Sequence, residues 1–515
     1  MRSALRKLFE YADVCLNAAF SPAANPMLQL GAMGWFFYWV VVGSGIYLYI
    51  FFDTGVTEAY ASVRAITESQ WYAGGIMRSL HRYASDALVV VVLMHVLREF
   101  ATARLHGARS FTWIIGVALL WFMYISGITG YWIVWDMFAQ YVAIATAEWL
   151  DALPFFAEPI ARNFLHDTTL SGRFFTLFVF IHIAVPLIML FFMWLHIQRL
   201  SQPSVNPPKQ LALGMLAAML GLSVLHPATS QGPAVLTQVP AILGMDWFYF
   251  FLYPLLDRYP GMALWAIVMG GTVLLLSLPW LSRSRQLRLR AARVDLPNCN
   301  GCGRCVADCP FSAVTLRPRS DGLPYGTEAV VDPGLCVSCG ICVGACPTAT
   351  PFRRRSELIP GIELPDFPMT KLREDVIHVM AGTGGPARVL VIACTSGNRA
   401  ASVQADGIGM VSMPCVGMLP PSFIDFALSR RHADGVMLSS CADNDCFYRL
   451  GLRWTRMRIG AERDPALRGR VPRNRIAVTH QDAAGDTLDR QVLAFQQHLA
   501  NAPAPGGDGN RTCAN

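Results

Sequence analysis

Long apolar stretches alternate with short polar segments up to about residue 280, and the remainder has the mixed pattern of soluble protein. Because a helix needs about 20 apolar residues to cross a bilayer, we place spans near 28–52, 77–104, 111–135, 173–200, 209–226 and 245–281. The low charged fraction of 15% also indicates membrane-embedded segments, since soluble domains average roughly 25% charged residues. The pattern predicts an all-α membrane bundle of six transmembrane helices within residues 1–283.

Basic residues cluster on alternate sides of these spans, which predicts their orientation. They are Arg2, Arg6, Lys7, Arg98, Arg104, Arg109, Arg199, Lys209, Arg283, Arg285, Arg288, Arg290 and Arg293. We therefore predict a multi-pass protein of the cytoplasmic (inner) membrane, in contact with lipid, with both termini and the soluble domains in the cytoplasm. Much of the net charge of +7 lies beside the spans, so we predict no nucleic-acid partner.

Two soluble domains follow the predicted bundle. Residues 284–365 are rich in cysteine and proline, and the short apolar runs 388–393, 409–413 and 435–439 alternate with polar stretches within 380–500. The second pattern favours a small α/β domain with a parallel sheet. Residues 501–515, rich in Gly, Pro and Asn, predict a disordered tail.

Four histidines lie inside predicted spans in two pairs of equal spacing. His81 and His95 are 14 residues apart, as are His182 and His196. Fourteen residues are nearly four turns, so each pair lies on one helix face about 21 Å apart. Two such helices facing each other provide two stacked bis-histidine haem sites. The alternative, hydrogen-bonded contacts between helices, does not account for the matched spacing.

Glycines repeat at the same interval in the first and third spans, at Gly31 and Gly45 and at Gly116 and Gly130. Glycine lets a flat macrocycle lie directly against a helix. We therefore include these four glycines in the predicted cofactor-binding sites.

With the motifs Arg78-Ser-Leu-His81, 112–116, 130–135 and 204–208, residues 1–280 resemble the cytochrome b family of the cytochrome bc and b6f complexes. The resemblance implies two haems b, held by His81 with His182 near the periplasm and by His95 with His196 near the cytoplasm, and quinone as substrate. It also implies that Arg78 and Arg98 meet haem propionates, although both could be interfacial anchors. A homodimer through this domain is left open.

The sequence departs from the family at three places. Residues 28–30 lack the cysteine that holds a third, covalent haem in the b6 branch, so none is predicted. Ser201 stands where respiratory members have a histidine of the cytoplasmic quinone site, so that site is not predicted. Residues 244–248 occupy the place of a Pro-Glu-Trp-Tyr motif, where Asp246 is either the catalytic proton acceptor or a helix cap.

Two cysteine quartets with the spacing C-x2-C-x2-C-x3-C-P lie in the first soluble domain. They resemble those of 2[4Fe-4S] ferredoxins, a ferredoxin-like α+β fold, in which the fourth cysteine of each run ligates the other cluster. One cluster would use Cys299, Cys302, Cys305 and Cys346, and the other Cys336, Cys339, Cys342 and Cys309. Two quartets exceed what a zinc site needs.

Four further cysteines, Cys394, Cys415, Cys441 and Cys446, lie at or near the ends of predicted strands. The ends of parallel strands converge on one edge, where four thiolates could hold [2Fe-2S] or zinc, or be structural. Residues 386–460 resemble the delta subunit of the methyl-viologen-reducing hydrogenase, which implies [2Fe-2S] and a flavin-bearing partner. Gly397 and Asp445 stand where that family has, respectively, a second thiol and a histidine nearby.

These features predict a quinone-linked oxidoreductase subunit. It would couple a cytoplasmic flavoprotein, through one [2Fe-2S], two [4Fe-4S] and two haems b, to the membrane quinone pool. A partner is expected to handle the organic substrate, since the chain has no nucleotide-binding glycine motif. The alternatives are a cytochrome bc-type quinol oxidase subunit and a transmembrane redox sensor.

Overall fold

The computed structural model describes residues 2–155, 158–164, 172–240, 242–281, 289–352, 358–385, 387–395, 405–442, 445–480 and 488–501. Arg283, Arg285, Arg288, Gly397 and nearly all of the predicted tail lie outside these ranges. The chain forms two compact units. We call residues 1–12, 19–198 and 203–283 the membrane unit, and residues 13–18, 199–202 and 284–515 the soluble unit.

The membrane unit is helical. Its helices are α1 (Arg2–Ala24), α2 (Leu30–Phe51), α3 (Glu58–Glu68), α4 (Ile76–Ala101), α5 (Ser110–Trp132), α6 (Met137–Asp151), α7 (Gly172–Ile197), α8 (Lys209–Leu225), α9 (Trp247–Phe250), α10 (Tyr253–Leu256) and α11 (Gly261–Leu281). Part of α1 belongs to the soluble unit. Helix α2 packs along α4 and α5 packs along α7, and these two pairs carry the glycines and histidines singled out above.

Within the described residues, four helices are long and apolar enough to cross a membrane: Leu30–Phe51, Gly107–Trp132, Phe175–Ile197 and Gly261–Leu281. Helix α8 is apolar but shorter, and α4, at the second predicted span, carries several charged residues. The count of six spans therefore remains a prediction.

The predicted sixth span, 245–281, is wrong at its start. Residues 247–256 form the short helices α9 and α10, and the long helix begins only at Gly261. Pro260 immediately precedes it, and a proline suits the start of a helix but not its interior. The Pro260 carbonyl accepts from the Ala263 amide at 2.9 Å. Helices α3 and α6 were not predicted.

Besides part of α1, the described residues of the soluble unit form eight strands and six α-helices. The strands are β1 (Arg293–Val294), β2 (Val314–Pro318), β3 (Thr327–Val331), β4 (Ile362–Glu363), β5 (Val389–Cys394), β6 (Ile408–Met413), β7 (Gly435–Ser440) and β8 (Ile476–His480). The helices are α12 (Arg304–Asp308), α13 (Ile341–Gly344), α14 (Met369–Ala381), α15 (Pro421–Ser429), α16 (Gly451–Ile459) and α17 (Leu488–Asn501). Strands β1–β4 and β2–β3 pair antiparallel.

Strands β5 to β8 form a parallel sheet in the order β6-β5-β7-β8. This sheet confirms the predicted α/β fold, and β8 is a strand that the apolar pattern missed. One hydrophobic core runs from Ala292 to Val471 and includes residues of both predicted soluble domains. The cysteine-rich segment and the α/β fold are thus packed together.

Candidate redox centres

The histidines of α4 and α7 face each other in two pairs. The ring centres of His81 and His182 are 6.2 Å apart, and those of His95 and His196 are 6.5 Å apart. A metal–nitrogen distance of about 2 Å, with about 1 Å from nitrogen to ring centre on each side, gives a separation of roughly 6 Å. The pairs are therefore spaced to bind one iron each, and the pairing is the one that the resemblance implied.

Backbone carbonyls fix the orientation of the first pair of rings. His81 Nδ1 donates to the Val41 carbonyl at 3.0 Å, and His182 Nδ1 donates to the Ser126 carbonyl at 2.9 Å. Because Nδ1 carries the proton, Nε2 keeps a lone pair for a metal. Both rings thus have the tautomer that an axial ligand needs.

The four predicted glycines each lie against one histidine. A Cβ added to Gly45 would lie 3.0 Å from Cε1 of His81, and one on Gly130 would lie 2.8 Å from Cε1 of His182. The corresponding distances are 3.6 Å from Gly31 to His95 and 3.3 Å from Gly116 to His196. These glycines therefore leave room for the imidazoles, and their contact with the macrocycle remains a prediction.

The two predicted propionate ligands differ in their surroundings. Arg78 donates to the hydroxyls of Thr67 at 2.6 Å and Ser230 at 2.8 Å. Arg98 is buried, and its guanidinium lies 5.6 Å from the ring centre of Phe9. Both arginines lie on the histidine helix α4, three residues before His81 and three after His95.

Asp246 is buried and caps α9. Its carboxylate accepts from the Phe248 amide at 2.7 Å, which confirms the capping role. The same carboxylate forms an ion pair with Arg82 at 2.7 Å and accepts from the Tyr131 hydroxyl. Arg82 also pairs with Asp86 at 3.2 Å. This partly buried polar network joins α4, α5 and α9, and sequence analysis missed its other three members, Arg82, Asp86 and Tyr131.

The first set of ferredoxin-type cysteines surrounds one cavity. Its lining includes Cys299, Cys302, Cys305 and, from the second run, Cys346. Burial, together with the neighbouring thiols of Cys302 and Cys346, raises the pKa of Cys305 to about 12. A raised pKa means that the thiolate is costly to form, and bound iron would offset this cost, because a coordinated thiol is deprotonated.

The second set forms around Cys339 and Cys342, with Cys336 and, from the first run, Cys309. Burial raises the pKa of both Cys339 and Cys342, and the charges of Cys309 and Cys336 add to the shift. The Ala313 amide donates to Cys309 Sγ at 3.3 Å. The last cysteine of each run therefore lies with the first three cysteines of the other run, as two [4Fe-4S] clusters require.

Four buried thiols meet beyond the ends of β5, β6 and β7. Cys415 and Cys441 donate hydrogen bonds to Cys394 and to Cys446, which lowers the pKa of both acceptors. The Val416 amide also donates to Cys394 Sγ at 3.1 Å. In the described part of the chain no three potential ligands are spaced for a single metal ion. The donor set, four thiols with a backbone amide directed at sulfur, fits an iron–sulfur cluster.

Ser201, which stands where respiratory cytochromes b have a quinone-site histidine, belongs to the soluble unit. Its hydroxyl donates to the Cys309 carbonyl at 2.6 Å, and its carbonyl accepts from Arg449 at 3.0 Å. Arg449 also donates to the Pro310 carbonyl at 3.0 Å. Ser201 is therefore engaged with the backbone of a predicted cluster ligand.

Three family models match successive parts of the chain. They are Cytochrome b/b6/petB over residues 16–203, the 4Fe-4S dicluster domain over 298–350, and the methyl-viologen-reducing hydrogenase delta subunit over 392–501. Among solved structures, a chain of "Hyperthermophilic respiratory Complex III" is similar, with 17% identity and a TM-score of 0.42, over 50% of this chain and 76% of that one. Successive parts of the chain are thus similar to a cytochrome b/b6 domain, a 4Fe-4S dicluster domain and a hydrogenase delta subunit, and these similarities support a membrane electron-transfer subunit.

Proposed function

We propose that the chain couples a cytoplasmic flavoprotein to the membrane quinone pool. The observation that carries this proposal is that two facing histidine pairs and three sets of four cysteines occur on one polypeptide. Haem b and iron–sulfur clusters bound there would supply transfer of single electrons. The soluble unit and both termini would face the cytoplasm, as the basic residues predict.

Each group of residues has its own task in this proposal. His81 with His182 and His95 with His196 would hold two haems b, and the two exchanged quartets would hold two [4Fe-4S] clusters. Cys394, Cys415, Cys441 and Cys446 would hold one [2Fe-2S] cluster. Asp246, with its carboxylate held by Arg82 and Tyr131, would be the proton-exchanging group near the periplasmic surface. It would accept a proton from quinol, and in the direction of quinone reduction it would return that proton to the quinone.

Cofactor content tests this assignment on the purified full-length chain. We expect two acid-acetone-extractable haems b per chain by pyridine haemochrome, and about 12 iron atoms in total when all three iron–sulfur sites are loaded. Zinc in place of about two iron atoms would assign the C-terminal centre to zinc. One haem per chain, or haem that resists extraction, would contradict the two-haem assignment.

A flavoprotein partner follows from the number of electrons. Nicotinamide and most organic donors release two electrons, whereas a [2Fe-2S] cluster carries one, and a flavin can divide the pair. We expect the native complex to contain a flavoprotein. Cys441→Ser should leave that flavoprotein bound but stop haem reduction by its donor, while dithionite still reduces the haems. Donor-driven haem reduction at the normal rate in Cys441→Ser would exclude this route.

A further inference from the structure

Within the soluble unit, a buried arginine of α16 connects the α/β fold to the dicluster segment. The Arg458 side chain is only 1% exposed. It donates to the Gly417 carbonyl at 3.0 Å, to the Ile341 carbonyl at 3.4 Å and to the Asp308 carboxylate. All three acceptors lie beside predicted cluster ligands: Asp308 precedes Cys309, Ile341 precedes Cys342, and Gly417 follows Cys415 by two positions.

These contacts reach only one of the two quartets. Cys309 and Cys342 both belong to the second quartet, and the loop after Cys339 packs directly on the loop after Cys415. A Cβ on Gly340 would lie 2.7 Å from Sδ of Met418, too close for any side chain there. The cavity of the first quartet, in contrast, is lined by residues from 299 to 362, and its Cys302 is exposed.

The Ile341 side chain, next to Cys342 of the second quartet, reaches the backbone beside the C-terminal thiols. It is fully buried, and it lies 3.0 Å from a Cβ placed on Gly417 and 3.5 Å from one placed on Gly451. Gly451 in turn packs against the sulfurs of Cys415 and Cys446. The residue next to Cys342 therefore touches the backbone that surrounds the C-terminal centre.

Arg458 belongs to a small network of charged side chains centred on Asp308. Asp308 also accepts from Arg463 Nε at 2.8 Å, and the Trp454 indole donates to the Asp308 carbonyl at 3.2 Å. Arg463 lies 3.7 Å from the ring centre of Trp454. Because a buried ion pair contributes little net stability and is better suited to fixing a unique geometry, this network is suited to holding two loops in register.

We propose that Arg458 is a positioning residue that holds the C-terminal four-cysteine centre against the second quartet, which makes that quartet the electron entry point of the dicluster segment. In each transfer one centre loses one electron and the other gains it, with no bond made and no proton moved. This inference rests on the proposed function, since both sets of thiols must hold clusters.

The test compares Arg458→Gln with Arg456→Gln in the full-length chain. Arg456 is an exposed arginine on the same helix, so it controls for loss of charge. Glutamine at position 458 cannot reach three acceptors. We expect it to weaken the magnetic interaction between the two reduced centres in EPR spectra and to slow electron transfer between them several-fold, because electron transfer slows steeply as the distance between two centres grows. Arg456→Gln should match the wild type.

Iron and sulfide content separates the ways in which the test can fail. Arg458→Gln with both centres loaded, and with unchanged magnetic interaction and rate, would overturn the positioning role. If Arg458→Gln loses iron, Arg458→Lys is the second test, because lysine keeps the positive charge but lacks the planar guanidinium that donates to several acceptors at once. A weakened magnetic interaction between the centres in Arg458→Lys supports the proposal, and an unchanged one refutes it. A wild-type protein without a C-terminal cluster would instead refute the proposed function.

Discussion

The four glycine–histidine contacts are the most consequential features at the scale of single residues. Each glycine lies against the Cε1 edge of one imidazole, and the contact is tightest at Gly130. Side chains at Gly45 and Gly130 would push the rings away from their partners across the site, whereas one at Gly31 would make an ordinary contact. The 14-residue repeat of glycines therefore marks the positions at which α2 and α5 pack closely against the histidines of α4 and α7.

Gly130→Ala should disturb the periplasmic haem. The new Cβ would lie 2.8 Å from Cε1 of His182, and relieving such overlap costs about 1–3 kcal/mol. We expect a shifted reduction potential and partial loss of that haem, measured by redox titration of the α-band. Gly31→Ala is the matched control, because its Cβ would lie 3.6 Å from His95, an ordinary contact. Equal effects of the two substitutions would contradict this explanation.

Some residues could be predicted from spacing along one chain segment and others could not. The histidine pairs and the thiol quartets repeat at fixed short intervals, so their positions are visible in the sequence. Arg458 and Asp308 are 150 residues apart, and the partner of Arg82, Asp246, lies on a distant helix. No local pattern distinguishes these arginines from exposed ones, so only the fold brings their partners together.

At the scale of secondary structure, the start of α9 combines a structural and a proposed chemical role in one carboxylate. Asp246 accepts from the amides of Phe248 and Tyr249 and also pairs with Arg82. The apolar pattern merged this segment with α11, because aromatic residues in 247–253 continue the hydrophobic run. Such a run shows that a segment is apolar, but it does not show where one helix ends and another begins.

Asp246→Asn separates the two roles. Asparagine caps a helix about as well as aspartate, so α9 should persist while the proton-accepting group is lost. We expect quinone turnover to fall about 10²- to 10⁴-fold, the usual contribution of a general base, with haem reduction by the soluble donor unchanged. Asp246→Ala is the comparison, because it removes the cap as well and should lower stability by about 1 kcal/mol. Normal turnover in Asp246→Asn would leave Asp246 a cap alone.

At the scale of the whole molecule, the cysteine-rich segment and the α/β fold share one hydrophobic core. Composition and motifs predict two soluble domains, at 284–365 and 380–500, but they carry no information about this shared packing. Removal of the α/β fold would expose core residues such as Ile341 and Val343. Point substitutions in the full-length chain are therefore better tests of electron transfer than deletions.

The central claim is that electrons pass between the cysteine centres and the membrane quinone through the two histidine pairs. The most direct measurement is rapid-mixing spectroscopy of the full-length protein in lipid vesicles, with a flavoprotein-containing complex and its donor on the side of the soluble unit and quinone in the bilayer. We expect the iron–sulfur signals to bleach first, both haem α-bands to appear next, and quinone to reoxidise the haems, with His182→Ala blocking quinone reduction. Quinone reduction at the normal rate in His182→Ala, or haems that stay oxidised while the iron–sulfur centres are reduced, would contradict the account.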